Sequence, residues 1–345
     1  MGGLNDDATS GAGLVRPSTL EVAAGWTMGM GEGDAFVARS PGRGGPGPRQ
    51  VLEEVLLAAL ERPPCVVDFS GGRDSSLVLA VAAHVARREG LPLPVAYTRR
   101  FPADRAANED GWQEMVIAHL RLPDWERANF SGGLDLVGER AQAFMRRYGL
   151  LLPSTLYVLA ESFEVARGGS HVTGEGGDEV FGPAPLRRAW AALALPGALA
   201  HPRRGASALV ALGPRPVRAL RLWRRYLAGG ALPCARWLQP EALRRVALMA
   251  ARQFGGRPNG SAAGLRWHLR QRSVLAHEHN MGLIAADYSV LHLDPILDAG
   301  FVAALASSRK RFGFASRQEA MSFVAGDLLP ATVLGRATKA TFNTA

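Results

Sequence analysis

Cys65-Val66-Val67-Asp68-Phe69-Ser70-Gly71-Gly72-Arg73-Asp74-Ser75-Ser76-Leu77 is the stretch on which the fold turns. Its first five residues read as a short buried strand, and Ser70-Gly71-Gly72 breaks it. Beyond the break, Leu77, Ala80, Val81, His84 and Val85 recur at the spacing of one helix face. Strand, glycine loop and helix in direct succession open an α/β domain. The loop between them also has a chemistry. Glycine lets the backbone turn tightly and approach a ligand with no Cβ in the way. N–H groups at the turn and the helix start form a nest for anionic oxygens, helped by the helix dipole. Ser70, Ser75 and Ser76 add hydroxyl donors, and Asp74 is placed to hold a magnesium ion between phosphates. No Gly-x-x-x-x-Gly-Lys-Ser/Thr loop occurs in the chain, and no lysine lies near this one.

Outward from this unit the pattern repeats. Leu93 to Thr98 reads as a second strand after Gly90 and Pro92. Trp112, Met115, Val116, His119 and Leu120 share a helix face. A helix over about 154–166 ends at Gly168-Gly169, and His171-Val172-Thr173 reads as another strand. Strands alternating with helices predict an α/β fold with a parallel sheet. Residues 1–48 are rich in Gly, Pro, Ser and Asp and read as a flexible segment, with Leu20 to Met28 as the part able to dock. Helical spacing starts at Val51, with Val55, Leu56 and Leu60 on its face. Residues 49–345 are expected to form one domain: a nucleotide-binding core over about 60–182 and a mostly helical remainder over 183–345.

Gly174-Glu175-Gly176-Gly177-Asp178-Glu179-Val180-Phe181-Gly182 sets acids among glycines straight after a strand. Gly174, Gly176 and Gly177 leave the backbone open to a nucleotide. Asp178 offers a second carboxylate for magnesium and pyrophosphate, and Glu175 is placed to act as a base or to orient an incoming amine.

The first loop resembles that of the ATP pyrophosphatases, which cleave between the α and β phosphates. The two loops together resemble the synthetase domain of asparagine synthetase and its relatives, β-lactam synthetase and the lasso-peptide cyclases. Those proteins read Ser-Gly-Gly-x-Asp-Ser-Ser, then Gly-x-Gly-x-Asp-Glu-x-Phe-x-Gly about a hundred residues on. The likeness extends through Leu293-Asp294-Pro295-Ile296-Leu297-Asp298 to Leu328-Leu329-Pro330, Arg336, Lys339 and Phe342. It implies an adenine-nucleotide-hydrolase-like core, ATP and magnesium as cofactors, and adenylation of a carboxylate followed by attack of ammonia or an amine. It assigns the first loop to pyrophosphate, Asp74 and Asp178 to magnesium, Glu175 to the amine, and Lys339 to the charge that develops at the adenylate. Lys339 is one of only two lysines, with Lys310, among 40 basic residues.

The chain also departs from that family. Asparagine synthetase proper begins with a glutaminase domain whose nucleophile is its first cysteine, whereas Gly2 follows Met1 here. Glutamine hydrolysis is therefore not expected. The amine is expected to be free ammonia, ammonia from a separate amidotransferase, or an amine on a substrate such as a precursor peptide. Arg73 stands where the family has an apolar residue, and the chain stops at Ala345, three residues past Phe342. Glu175 stands where β-lactam synthetase has tyrosine, which disfavours β-lactam closure. The expected function is thus an ATP-dependent, amide-forming ligase acting on a small-molecule or peptide carboxylate. The open alternatives are a lasso-peptide-type macrolactam cyclase, a decayed non-catalytic partner, and a tRNA-modifying ATP pyrophosphatase.

Composition narrows the field. A net charge of +9 would suit nucleic acid, but 38 of the 40 basic residues are arginine and they are spread widely, so no nucleic-acid face is expected. The stretch 187–225 holds nine arginines beside Trp190, Leu220 and Trp223 and reads as solvated helix faces. The apolar run from Ala189 to Ala200 contains Pro196 and is too short to span a bilayer. Only Cys65 and Cys234 are present, which excludes a disulfide framework and favours a cytoplasmic location. His277 and His279 lie at i, i+2, on different helix faces, so no metal is expected there. Glu109, Asp110 and Glu114 read equally as nucleotide contacts or as a solvated helix start.

Overall fold

Val66 and Val67 are fully buried between two neighbouring strands and helices on both faces, and the domain is arranged around them. The computed structural model of the chain describes residues 13–31, 45–102, 109–130, 135–182, 210, 212–228, 237–308 and 313–336. Five strands form one parallel sheet: β1 (Cys65–Asp68), β2 (Val95–Arg100), β3 (Trp125–Asn129), β4 (Ser170–Val172) and β5 (Leu291–Leu293). Their order is β3-β2-β1-β4-β5, with Val66 paired to Val95 on one side and to His171 on the other. β1 is buried at every position, as a central parallel strand covered on both faces must be. β2 starts at Val95 rather than Leu93 because Pro94 has no N–H to give the ladder.

Helices flank both faces. One layer holds α2 (Pro48–Leu60), α3 (Arg73–Glu89) and α4 (Asp110–Leu120). α3 is buried over most of its length by Leu77 to Ala86 and stops at Gly90, which takes the left-handed conformation at φ 67°. The opposite layer contains α5 (Glu139–Tyr148) and α6 (Leu156–Val165), joined by α11 (Arg272–Ala286), with Tyr97, Phe163, Met281 and Ile284 in its core. Between β4 and β5 come the short α7 (Gly177–Val180), then α8 (Arg215–Leu227), α9 (Pro240–Gly255) and α10 (Ser261–Leu269). α12 (Ala299–Ser307), α13 (Arg317–Ala325) and α14 (Ala331–Leu334) close the described chain against α2 and α3.

Two expectations need correction. The division at residue 182 is not a spatial one, because β5 completes the sheet and Phe301, Met321 and Val333 share the core around α3. A three-residue strand is too short to show a period, so nothing local announced it. Residues 13–31, inside the segment expected to be flexible, are packed. Ser18 caps α1 (Thr19–Ala24) in a capping box with Glu21. Buried Glu21 accepts from the Ser18 and Met28 N–H groups at 2.8 Å and pairs with Arg272. Gly31 N–H donates to Arg270 O at 2.8 Å, Arg272 N–H donates to Gly29 O at 3.0 Å, and Trp26 stacks on Phe254. The docking region therefore extends beyond Leu20 to Met28. Tertiary partners supply the burial that this glycine-rich segment cannot supply for itself.

Among the described residues no helix is long and apolar enough to cross a membrane.

Candidate functional site

Strand order reverses between β1 and β4, so the chain leaves these neighbours in opposite directions and a crevice opens beyond their carboxyl ends. Ser70-Gly71-Gly72 follows β1, and Thr173 to Gly176 follows β4. The two sequence motifs therefore meet at the position where open α/β sheets bind ligands.

The first loop is held from behind. Gln113 donates to Ser70 O at 2.9 Å, and Arg336 donates to Gly71 O at 2.7 Å. In a planar trans peptide the N–H points opposite to the C=O. Pinning these carbonyls thus turns the Gly71 and Gly72 N–H groups away from Gln113 and Arg336. Gly71 sits at φ 85°, and a Cβ there would lie 2.8 Å from Gln113 Cγ, so the position requires glycine. Gly72 is the N-cap of α3 and has no side chain to cap it, leaving the first-turn N–H groups without intrahelical acceptors. Ser70 Oγ and Ser75 Oγ stand 3.2 Å apart beside this nest. Ser76 is fully buried, and its hydroxyl has no partner among the described residues.

The second loop presses against the first. A Cβ on Gly174 would lie 2.7 Å from Ser75 N and 3.0 Å from Asp74 C, and one on Gly177 would run into the Asp74 carboxylate. Gly176, at φ 83°, has the Leu297 side chain where a Cβ would go. These absences of side chain bring Asp74 and Asp178 close enough for one guanidinium to bridge them: Arg317, at the start of α13, pairs with both. Burial pushes the Asp74 pKa up, with Arg317 acting against it, and the two carboxylates push the Arg317 pKa up against its own burial. Arg73 belongs to the same cluster, where burial and the Arg317 charge draw its pKa down.

Glu175 lies across the crevice. Its N–H donates to Thr173 Oγ1 at 3.1 Å, and that hydroxyl donates to Asp294. Loss of water, then the charges of Asp294, Glu179, Asp178 and Asp74, push the Glu175 carboxyl up to about 7. The side chain keeps exposed surface, so it is an acid in an open, negatively charged crevice rather than a sealed one.

Some expectations change here. Glu109 neither contacts solvent freely nor offers itself to a nucleotide: it is buried and forms an ion pair with Arg336, whose guanidinium stacks over Trp112 at 4.8 Å. Asp110 pairs with Arg100 at 2.6 Å. His279 Nε2 lies 3.0 Å from Gly13 O while His277 turns toward Asp294, so the two diverge as their spacing predicts. Lys339 lies outside the described residues. Arg317 and Gln113 were not foreseen. In so arginine-rich a chain no local signal separates Arg317 from the rest, though Ser316, which caps α13 by accepting from Glu319 N–H at 3.1 Å, marks the helix start that places it.

A search of curated proteins returns no significant match to the chain. The family model described as asparagine synthase matches residues 49–336, spanning both loops, Arg317, Arg336 and all five strands. With that match covering most of its length, the chain belongs to the asparagine synthase family, whose members are ATP-dependent amide-forming ligases.

Proposed function

We propose that this chain is a magnesium- and ATP-dependent ligase that adenylates a carboxylate, releases pyrophosphate, and passes the acyl group to ammonia or an amine. The observation that carries the proposal is the meeting of the two glycine loops around Asp74 and Asp178. The donors fit a hard divalent cation: Asp74 Oδ1 is buried with no hydrogen-bond partner among the described residues, next to a second carboxylate and a nest of N–H groups. Magnesium, when bound, neutralises the phosphates and stabilises the leaving pyrophosphate.

The chain's own groups then have separable tasks. The N–H groups of residues 71–75 and the Ser70 and Ser75 hydroxyls bind pyrophosphate oxygens. Asp74 and Asp178 hold the cation. Arg317 presents a bidentate fork to phosphate once the carboxylates turn to the metal. Glu175 takes a proton from the attacking amine, and Lys339, as the resemblance implies, meets the charge at the adenylate. The acid component is a small-molecule or peptide carboxylate. The amine comes from the substrate itself, from free ammonia or from a separate amidotransferase.

Carboxylate-dependent exchange of labelled pyrophosphate into ATP tests this reading, with magnesium present and aspartate, other amino acids and precursor peptides offered in turn. Exchange with one of them is expected; absence of ATP binding would overturn the proposal in favour of a non-catalytic partner protein.

The Glu175 environment adds a pH signature. A carboxyl raised to about 7 keeps its proton below that value, so the base form is present only above it. Amide formation should rise with pH through about 7. Glu175→Gln should flatten that rise and lower amide formation by about 10²–10⁴-fold while sparing pyrophosphate exchange. The same shift means that ionised Glu175 is disfavoured in the folded protein, so its contribution to stability is lost as pH climbs from 4.5 toward 7. The glutamine variant should lose that part of the pH dependence in thermal melts.

A further inference from the structure

Behind the second loop, the sheet buries a chain of polar groups that the proposed reaction does not use. Arg99 donates to both Asp68 oxygens at 3.0 and 2.8 Å, and to Ser162 Oγ at 3.0 Å. Burial opposes it, yet Arg99 and His171 hold the Asp68 carboxyl down at about 2. The Ser162 hydroxyl spends its proton on Leu159 O at 2.7 Å, so toward His171 Nε2, 2.8 Å away, it accepts. Asp68 Oδ1, 3.3 Å from the same nitrogen, also accepts. His171 Nε2 therefore carries a proton. Arg99 already balances the Asp68 charge, so fully buried His171 stays neutral, with Nδ1 bare. His292, its register partner across β4 and β5, donates from Nδ1 at 3.0 Å.

This leaves His292 Nε2 facing Asp294 Oδ2 at 3.3 Å. His277 Nε2, on α11, stands 3.7 Å from the same oxygen, a buried atom without a hydrogen bond among the described residues. With its Nδ1 proton given to His171, neutral His292 turns a bare Nε2 toward the Asp294 carboxylate, and His277 Nε2 beside the same oxygen is too far from it for a hydrogen bond. A proton on His292 Nε2 satisfies one contact and leaves His277 orphaned. A divalent ion satisfies all three. The three donor atoms lie within 4.8 Å of one another. The two edges that meet at Asp294 Oδ2, 3.3 and 3.7 Å, lie on either side of the edge of about 3.4 Å that bonds of about 2.0–2.1 Å give in a tetrahedral zinc site.

We propose that His277, His292 and Asp294 bind a zinc-class divalent ion, with the fourth position open to water. The surroundings suit it: each imidazole–carboxylate ligand of such a site is normally oriented by an outer partner. His171 orients His292, and Thr173 donates to Asp294. Thr173 also receives the Glu175 N–H, so the ion anchors the loop that carries the base. The role is positioning, and the ion takes no part in the chemistry. This inference does not depend on the ligase reading.

The test uses the full chain without a polyhistidine tag. Elemental analysis after dialysis, and uptake of Zn²⁺ or Co²⁺ by the stripped protein, should give one equivalent per chain, with the intense visible absorption of tetrahedral Co²⁺. His277→Ala removes a ring nitrogen that holds no hydrogen bond, so it should keep the wild-type circular dichroism. Its Zn²⁺ affinity should fall at least about 100-fold, and the zinc-dependent rise in melting temperature should disappear. Lack of uptake by the wild-type chain, an octahedral Co²⁺ spectrum, or equal affinity in His277→Ala would overturn the site and leave an imidazolium–carboxylate pair in its place.

Discussion

Asp74→Asn should lower carboxylate-dependent pyrophosphate exchange by about 10³-fold, while leaving the fold in place. The substitution keeps size and shape and removes the charge that faces Arg317 on one oxygen, the other having no hydrogen bond among the described residues. A cation ligand that stabilises charge in a phosphoryl-type transition state supplies several kcal/mol, and about 4 kcal/mol is about 10³ in rate. The stability cost is small for a physical reason: burial already penalises the ionised acid, whose pKa is raised. Removing it relieves that penalty while weakening the hold on Arg317. ATP binding measured without magnesium should change far less than exchange measured with it. An Asp74→Asn protein that exchanges at the wild-type rate would remove Asp74 from the cation site.

Arg336→Met should be the most destabilising single change in the site. Arg336 is buried, pairs with buried Glu109, lies over Trp112 and ties down Gly71 O. Removing one member of a buried ion pair leaves the other charge uncompensated, at about 3–5 kcal/mol. Chemical denaturation should show that loss, and exchange should fall as the loop is released. Converting Glu109 to Met as well should recover much of the stability, because no lone charge then remains buried. It should not recover exchange, because Gly71 O is still untethered. Recovery of both would mean that the pair acts on stability alone and does not shape the loop.

These two residues were not equally visible beforehand. Asp74 announces itself through Ser70-Gly71-Gly72, where local chemistry and local conformation coincide: a left-handed turn, an uncapped helix start and an acid in the first turn. Arg336 was legible only as part of a terminal signature, and Glu109 read as a helix-start acid with two open roles. Their pairing spans 227 residues and has no local trace. Arg317 is harder still. Its value comes from standing between two carboxylates from different loops, and nothing in Ser316-Arg317-Gln318 differs from a solvated helix start. Strand β3, Trp125-Glu126-Arg127-Ala128-Asn129, went unread because an edge strand with exposed charged positions lacks the apolar run of its buried neighbours.

By itself the sequence determined the alternation of strands and helices, the two glycine loops and the placing of Asp74, Glu175 and Asp178 on them. All of these depend on neighbours within a few residues, through side-chain periodicity and the conformational freedom of glycine. Only the tertiary structure decided that the loops touch, that Arg317 spans their acids, that Arg336 and Gln113 hold the first loop from behind, and that His277 joins His292 and Asp294. Those contacts depend on strand order and helix packing, which join residues of different elements after the local structure has formed.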